Sequence, residues 1–105
     1  MSYTQTARVG IADETVEAGT TFVFTDFLSA GPSTLAVHPA AGATATVSIT
    51  CSTPARIAAG TARWARAALG EDGVVSAASI IDIPAPLTGI RVEAAGGTVA
   101  VEVVQ

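Results

Sequence analysis

Two side chains that could act as a catalytic base, a nucleophile or a metal ligand are those of the chain's single histidine and its single cysteine, His38 and Cys51. A catalytic histidine would need both a nucleophile and an acid that orients it. His38 directly precedes Pro39, and we expect it to be a surface histidine at the end of a strand. Cys51 ends an apolar alternating run, which favours a buried structural thiol over a nucleophile. One histidine and one cysteine are also too few ligands for a transition-metal site.

Two adjacent acidic pairs, Asp13-Glu14 and Glu71-Asp72, lie where the sequence indicates turns. Carboxylates in a loop can bind calcium, but the chain has no Asp-x-Asp-x-Asp-Gly loop, so solvated turn charges are favoured. The glycines occur singly or as one Gly-Gly pair and form no phosphate-binding pattern. The sequence therefore predicts no catalytic, metal-binding or cofactor-binding residue, no cofactor, and a protein that is not an enzyme.

The single tryptophan, Trp64, lies between two arginines, Arg63 and Arg66. A tryptophan can stack on a sugar or a base, but a place in a core or at a protein interface is favoured. The two arginines could pair with carboxylates of a partner protein.

Composition limits the class of protein. The chain has 105 residues, of which half are hydrophobic and 13% are charged, so we expect one ordered domain spanning residues 1–105. The net charge of −4 argues against nucleic acid as a partner. No apolar stretch is long enough to span a membrane, and from the opening MSYTQTAR we expect no secretory signal. A lone cysteine excludes an internal disulfide and fits folding in a reducing cytosol. The low charge predicts a surface partly covered by other protein, unless it reflects alanine-rich codon usage.

Short alternating runs bounded by turn signals recur along the chain. We expect strands at Ala7–Ala12 and Thr15–Glu17, a strong one at Thr21–Leu28, and further ones at Thr34–His38 and Val74–Ile83, with turns at Gly31-Pro32 and from Pro84. The clearest period-2 run is Ala43–Cys51, with an apolar face and a threonine-rich face predicted to be exposed. Seven to nine short strands predict an all-β fold, an antiparallel β-sandwich or a jelly-roll-like barrel.

The stretch from Pro54 to Leu69 has conflicting signals. Its alanines and arginines favour a helix, which Pro54 could open at its first position. Gly60 in the middle would cost such a helix about 1 kcal/mol. We favour a bend near residues 58–60 followed by a strand around Ala62–Ala67, and the helix stays open as the alternative.

The closing stretch, TGIRVEAAGGTVAVEVV, contains two alternating runs joined by Gly96-Gly97. A Gly-Gly loop suits a two-residue hairpin turn. The hairpin register would place Val92 beside Val101, and Arg91 beside Glu102, on opposite faces. The sequence therefore predicts a C-terminal β-hairpin around which a second layer must pack, because a lone hairpin is marginal in water.

Two of these segments carry a resemblance to a known class of proteins. The segments GTARW (Gly60 to Trp64) and PLTGIRVEAAGGTVAVEVV (Pro86 to Val104) resemble small structural proteins of tailed bacteriophages, which often end in P-x-T-x-I/L-R-V followed by G-G-T-x-x-V-E-V-V. The resemblance covers roughly residues 55–105. It implies a compact β-sandwich that decorates or cements a capsid and has no active site.

The resemblance also implies partners and a location. The expected partner is the major capsid protein, with self-association into dimers or trimers, and the expected location is the capsid exterior of a virion made in the host cytoplasm. Binding would stabilise the capsid lattice by linkage. The alternative class is a glycan- or receptor-binding β-sandwich module, such as a tail or fibre adhesin of a virion, in which Trp64 would contact the ligand.

Overall fold

The computed structural model describes residues 4–9, 11–27, 33–83 and 88–104, and it shows two β-sheets packed face to face. The larger sheet contains β1 (Thr4–Val9), β3 (Thr21–Phe27), β5 (Thr44–Thr50), β6 (Ala65–Arg66), β7 (Val74–Val75) and β9 (Gly89–Ala95). The smaller sheet contains β2 (Ile11–Val16), β4 (Ser33–Pro39), β8 (Ser79–Ile83) and β10 (Val99–Val104). The predicted β-sandwich is confirmed. The turns predicted at Gly31-Pro32 and from Pro84 lie outside the described residues.

Each sheet has a central strand from the C-terminal stretch. The order in the larger sheet is β1-β3-β9-β5-β6, with β7 also pairing with β5, and the order in the smaller sheet is β2-β10-β4-β8. The described pairings are antiparallel apart from that of β1 with β3, which is parallel. The last two long strands therefore hold the two sheets together by packing rather than by hydrogen bonding.

The predicted C-terminal hairpin is wrong, because β9 and β10 lie in different sheets. Val92 pairs with Phe22 and Val47 in the larger sheet, whereas Val101 pairs with Glu14 and Val37 in the smaller one. Both edges of each strand are already occupied by other strands, which gives each two backbone ladders instead of one. The Gly96-Gly97 link is a crossing between sheets.

The apolar residues that the hairpin would have paired lie in one core instead. Alternate side chains of both strands are buried in one hydrophobic cluster: Ile90, Val92 and Ala94 from β9, and Val99, Val101 and Val103 from β10. Phe22 and Phe24 of β3 join it, with their ring centroids 4.8 Å apart. The period-2 pattern predicted correctly which faces are buried, since a strand buries alternate side chains whatever its partner. Because the described residues stop short of both ends, one domain over residues 1–105 stays a prediction.

The stretch from Pro54 to Leu69 contains both a helix and a strand. The helix α1 (Pro54–Ala59) begins after Thr53, whose hydroxyl accepts the backbone N–H of Arg56 at 3.3 Å. Gly60 ends it in the left-handed conformation, with φ of 74°. The glycine that counted against a long helix is thus the cap of a short one, and the expectation that residues 54–59 form no helix is wrong. The strand predicted around Ala62–Ala67 is present as the short β6, Ala65–Arg66. Within the described residues, no helix has the length and apolar character needed to cross a membrane.

Two further predictions on polar residues are corrected. Asp13 and Glu14 lie within strand β2, not in a turn, because the strand continues to Val16 beside β10. The threonine-rich face of β5 is not uniformly exposed, because Ser48 and Thr50 are buried by chain that follows them. The turn predicted at Glu71-Asp72 is confirmed, and Asp72 has a positive φ of 54°.

The crossing between sheets makes a prediction about Gly96. Gly96 has φ of 75°, and a Cβ placed there would lie 2.8 Å from the carbonyl oxygen of Gly42. Gly19 has nearly the same φ, 77°, but open space around the added atom. We expect Gly19→Ala to lower the free energy of unfolding by about 1 kcal/mol, from backbone strain alone, and Gly96→Ala by at least about 1 kcal/mol more. Urea unfolding measures both, and equal losses would show that the crossing is not closely packed.

Candidate functional site

The outer face of the larger sheet is covered by the chain that follows β5. We call residues 52–66 the cover segment. A Cβ added at Gly89 would lie 3.2 Å from Cδ1 of Ile57, Cη2 of Trp64 and Cγ2 of Thr50. The side chains of Ile57 and Trp64 in the cover segment therefore pack on β9 at Gly89, which has no side chain of its own. Gly89 permits this close approach of a helix and an aromatic ring to a sheet.

Hydroxyl groups attach the cover segment to the sheet. The buried Thr50 hydroxyl donates to the carbonyl oxygen of Arg63 at 2.6 Å and accepts the backbone N–H of Ser52 at 3.1 Å. The Ser52 hydroxyl accepts the N–H of Arg63 at 2.9 Å, and the Thr88 hydroxyl donates to the carbonyls of Ser52 and Thr50. The hydrogen-bond partners of these hydroxyls are backbone groups at the end of β5 and in the cover segment. The three hydroxyl side chains therefore fix the position of the backbone next to Trp64.

Trp64 and Arg91 form the centre of the covered surface. The Arg91 guanidinium carbon lies 4.6 Å from the centroid of the Trp64 ring, within the range of a cation–π contact. Its Nε lies 3.5 Å from a carboxylate oxygen of Glu93, and this buried nitrogen makes no hydrogen bond. The Arg91 side chain is 30% exposed. The ring and the neighbouring carboxylate thus hold a partly exposed guanidinium in one orientation.

The cover segment and the strand that carries Arg91 contain several arginines. Arg66 and Arg91 lie in one row across the larger sheet, on either side of Ser48, so they project from the same face. Arg56 and Arg63 lie in the cover segment and are exposed. Four of the chain's five positive charges therefore belong to the cover segment or to the strand below it, although the net charge is −4. Arg66 also donates to the carbonyl oxygen of Asp72 at 3.3 Å.

The sequence singled out Trp64, Arg63 and Arg66, and the structure adds Arg91, Gly89 and Thr50. Trp64 is half-buried on the outside of a sheet rather than in the sandwich core. Arg91 had been assigned to an ion pair with Glu102, a pairing that the crossing between sheets excludes. Gly89, at the start of β9, was the feature of the sequence that could have indicated this site, since a glycine inside a strand often marks close approach of other atoms.

The remaining candidates lie elsewhere. His38, near the end of β4, is partly exposed as predicted, with Nε2 3.3 Å from Glu102 on the smaller sheet. Cys51 is exposed, so its predicted burial is wrong; the strand ends at Thr50, and the alternation no longer places the next side chain inside. Among the described side chains, no three of histidine, cysteine, aspartate and glutamate form a group that could hold a metal ion.

The hydroxyl attachment predicts a specific loss of stability. Thr50→Val keeps the shape of the side chain but removes the partner of two partly buried backbone groups, the carbonyl of Arg63 and the N–H of Ser52. We expect the free energy of unfolding to fall by about 1–3 kcal/mol. Thr46→Val, four residues earlier on the same face and without such bonds, should change it by less than about 0.5 kcal/mol. Urea unfolding compares them, and similar values would mean that the attachment contributes nothing.

The close approach at Gly89 predicts a spectroscopic change. Gly89→Ala introduces a methyl group where Trp64 and Ile57 already lie, so the ring should move outward and its emission should shift to longer wavelength. Trp64 is the only tryptophan, which makes the signal unambiguous. Gly19→Ala, remote from the ring in the fold, should leave the emission unchanged. An unshifted spectrum for Gly89→Ala would show that the ring does not rest on this glycine.

Comparison with known proteins bears on the fold and on the expected function. No protein-family model matches the chain, and no curated protein matches it. A solved structure, that of Aeromonas hydrophila PliG, a periplasmic lysozyme inhibitor of g-type lysozyme, matches with a TM-score of 0.49 and 14% identity, over 99% of this chain and 98% of that one. The likeness is one of overall architecture, and what the inhibitor binds is a property of that protein.

These findings correct the expectations drawn from the phage resemblance. The matching structure is a periplasmic inhibitor and not a virion component, so the prediction of a capsid decoration or cement protein, with its adhesin alternative, is wrong. The major capsid protein as partner and the capsid exterior as location are wrong by the same finding.

Proposed function

We propose that this chain is a non-enzymatic binding domain that recognises a carboxylate-bearing surface of a partner protein through Trp64 and the arginines around it. The observation that supports the proposal best is the stacking of Arg91 on Trp64 at the centre of an arginine cluster in an acidic chain. Tryptophan and arginine are the residues most enriched among those that dominate protein-binding energy.

The geometry of Arg91 suits carboxylate recognition. A guanidinium binds a carboxylate through two parallel N–H groups, and this requires a fixed plane. Stacking on Trp64 and the nearby Glu93 carboxylate restrict that plane before a partner arrives. Pre-ordering reduces the conformational entropy lost on binding, which otherwise costs about 0.5–1.5 kcal/mol for each side chain immobilised.

The distribution of charge favours an acidic partner. Arg63 and Arg66 are exposed beside Trp64, whereas the outer face of the smaller sheet presents Asp13, Asp82 and Glu102. An acidic partner would be attracted to the first face and repelled by the second, which orients the encounter. The placement of His38 and Cys51 supports a non-enzymatic role, because His38 lies on a strand of the smaller sheet and Cys51 directly follows a strand of the larger one.

A defined acidic probe tests this proposal. Binding of a fluorescein-labelled octaglutamate peptide is measured by anisotropy at low ionic strength, with an octaglutamine peptide as the neutral control. We expect saturable binding of the glutamate peptide only, weakened by added salt. Arg91→Gln should weaken it by about tenfold, and Arg91→Lys, which keeps the charge but loses the planar stack, should weaken it nearly as much.

Arg56→Gln is the matched control, because it removes the same charge from the exposed helix α1. It should weaken binding by less than about threefold. Far-UV circular dichroism confirms the fold of each variant. Absence of saturable binding, or equal losses for Arg56→Gln and Arg91→Gln, would contradict a built carboxylate site around Trp64.

A further inference from the structure

The two edges of the smaller sheet differ in their protection against an added strand. At the β2 edge, Glu14 lies directly opposite the buried Val101 and therefore occupies an inward-facing position. An inward-facing charge on an edge strand is a common device against edge-to-edge pairing. At the other edge, β8 reads SIIDI and contains no lysine, proline or glycine.

The β8 edge has no second partner in the described part of the chain. β8 pairs with β4 through five residue pairs and is the last strand of its sheet. The backbone groups that point away from β4 can therefore form hydrogen bonds with an extended chain. This is the arrangement in which a peptide adds as a further strand.

Both faces of β8 present isoleucine at this edge. Ile80 is 69% exposed, the highest value among the described large hydrophobic residues, and lies in one row with Ala36 and Glu102 on the outer face. Ile81 projects to the opposite face, where it is partly buried against the core. A strand added beside β8 would cover Ile80 with one set of its alternating side chains and Ile81 with the other.

Asp82 gives the edge a charge preference. It is exposed, and the Thr34 hydroxyl donates to its Oδ1 at 2.9 Å, which orients the carboxylate on the outer face. A basic residue directly across from it in an added strand would be favoured, and an acidic one disfavoured.

We propose that β8 is a docking edge for an extended segment of a partner protein, which carries a basic residue facing Asp82 and β-branched aliphatic residues beside Ile80 and Ile81. The backbone of the segment forms hydrogen bonds with β8, and the side chains of Ile80, Ile81 and Asp82 determine which segments bind. This edge belongs to the smaller sheet, so its use does not depend on the arginine surface of the larger one.

A symmetric peptide tests the edge in either strand direction. Acetylated and amidated TVVKVVT is titrated into the protein, and amide hydrogen exchange of residues 79–83 is followed by NMR. We expect saturable binding, with exchange of the outward-pointing amides slowed by at least about tenfold at saturation. The peptide TVVEVVT should bind more weakly by about two- to fivefold.

Two matched surface variants localise the binding. Ile80→Lys should weaken it by about tenfold, whereas Val104→Lys changes an exposed apolar residue on the central strand β10 and should leave it within about twofold. Arg91→Gln should bind the peptide as the unchanged protein does, which separates this test from that of the arginine surface.

Three outcomes would overturn the docking edge. The first is unchanged exchange of residues 79–83 when the peptide is present. The second is an equal effect of Ile80→Lys and Val104→Lys. The third is protection of these amides without peptide that is lost on dilution, because a second copy of the chain would then be the occupant.

Discussion

The structure depends on the burial, in one core, of two apolar strand faces that follow each other in sequence. The inner faces of β9 and β10 bury Val92 and Val101 completely, each from the interior of its own sheet. Because sheets pack about 10 Å apart and strands within a sheet about 4.8 Å apart, packing across the core is made by side chains alone. The hydrophobic effect is not directional, so the alternating valines satisfy it across a core as well as they would along a hairpin. The backbone hydrogen bonds that β9 and β10 form with β2, β3, β4 and β5 favour the sandwich over the hairpin.

The candidate site follows from that arrangement. Since β9 is central in the larger sheet, its outer face is also the middle of an outer surface, where Gly89 and Arg91 lie. Uncovered, the hydroxyls and apolar atoms of that face would be exposed to water; the cover segment packs over them, held by Thr50 and by contact with Gly89. The same packing orders Trp64 and Arg91 against each other. A surface of ordered aromatic and guanidinium groups is therefore a consequence of covering the central strand, and a binding role requires no further machinery.

The sequence was informative about which side chains are buried and less so about which strands are neighbours. The inward position of Val47 could be predicted, because the alternation of a strand with one apolar face is independent of its partner. Whether β9 and β10 pair as a hairpin could not be predicted, because Gly96-Gly97 permits a sharp change of chain direction both within one sheet and between two sheets. Pairing depends on the free energy of every ladder together, a non-local quantity.

The site shows the same limit at the level of single residues. Trp64 and its neighbouring arginines were identified by residue type, whereas Arg91 belongs to a strand about twenty-five residues later and joins them only through sheet order. Cys51 and Thr50 exchanged their expected environments because the strand ends between them and the cover segment begins. A period-2 pattern does not indicate whether another part of the chain covers the outward face of a strand. The burial of that face could therefore not be predicted from the pattern.

The most direct test of this strand arrangement is the pattern of backbone nuclear Overhauser contacts made by the two C-terminal strands. We expect backbone contacts from Val92 to Phe22 and Val47, and from Val101 to Glu14 and Val37. We also expect that methyl groups, but not backbone protons, connect Val92 with Val101. Backbone contacts between Val92 and Val101 would mean that the two strands are neighbours in one sheet, and the placement of Arg91 beneath the cover segment would then be wrong.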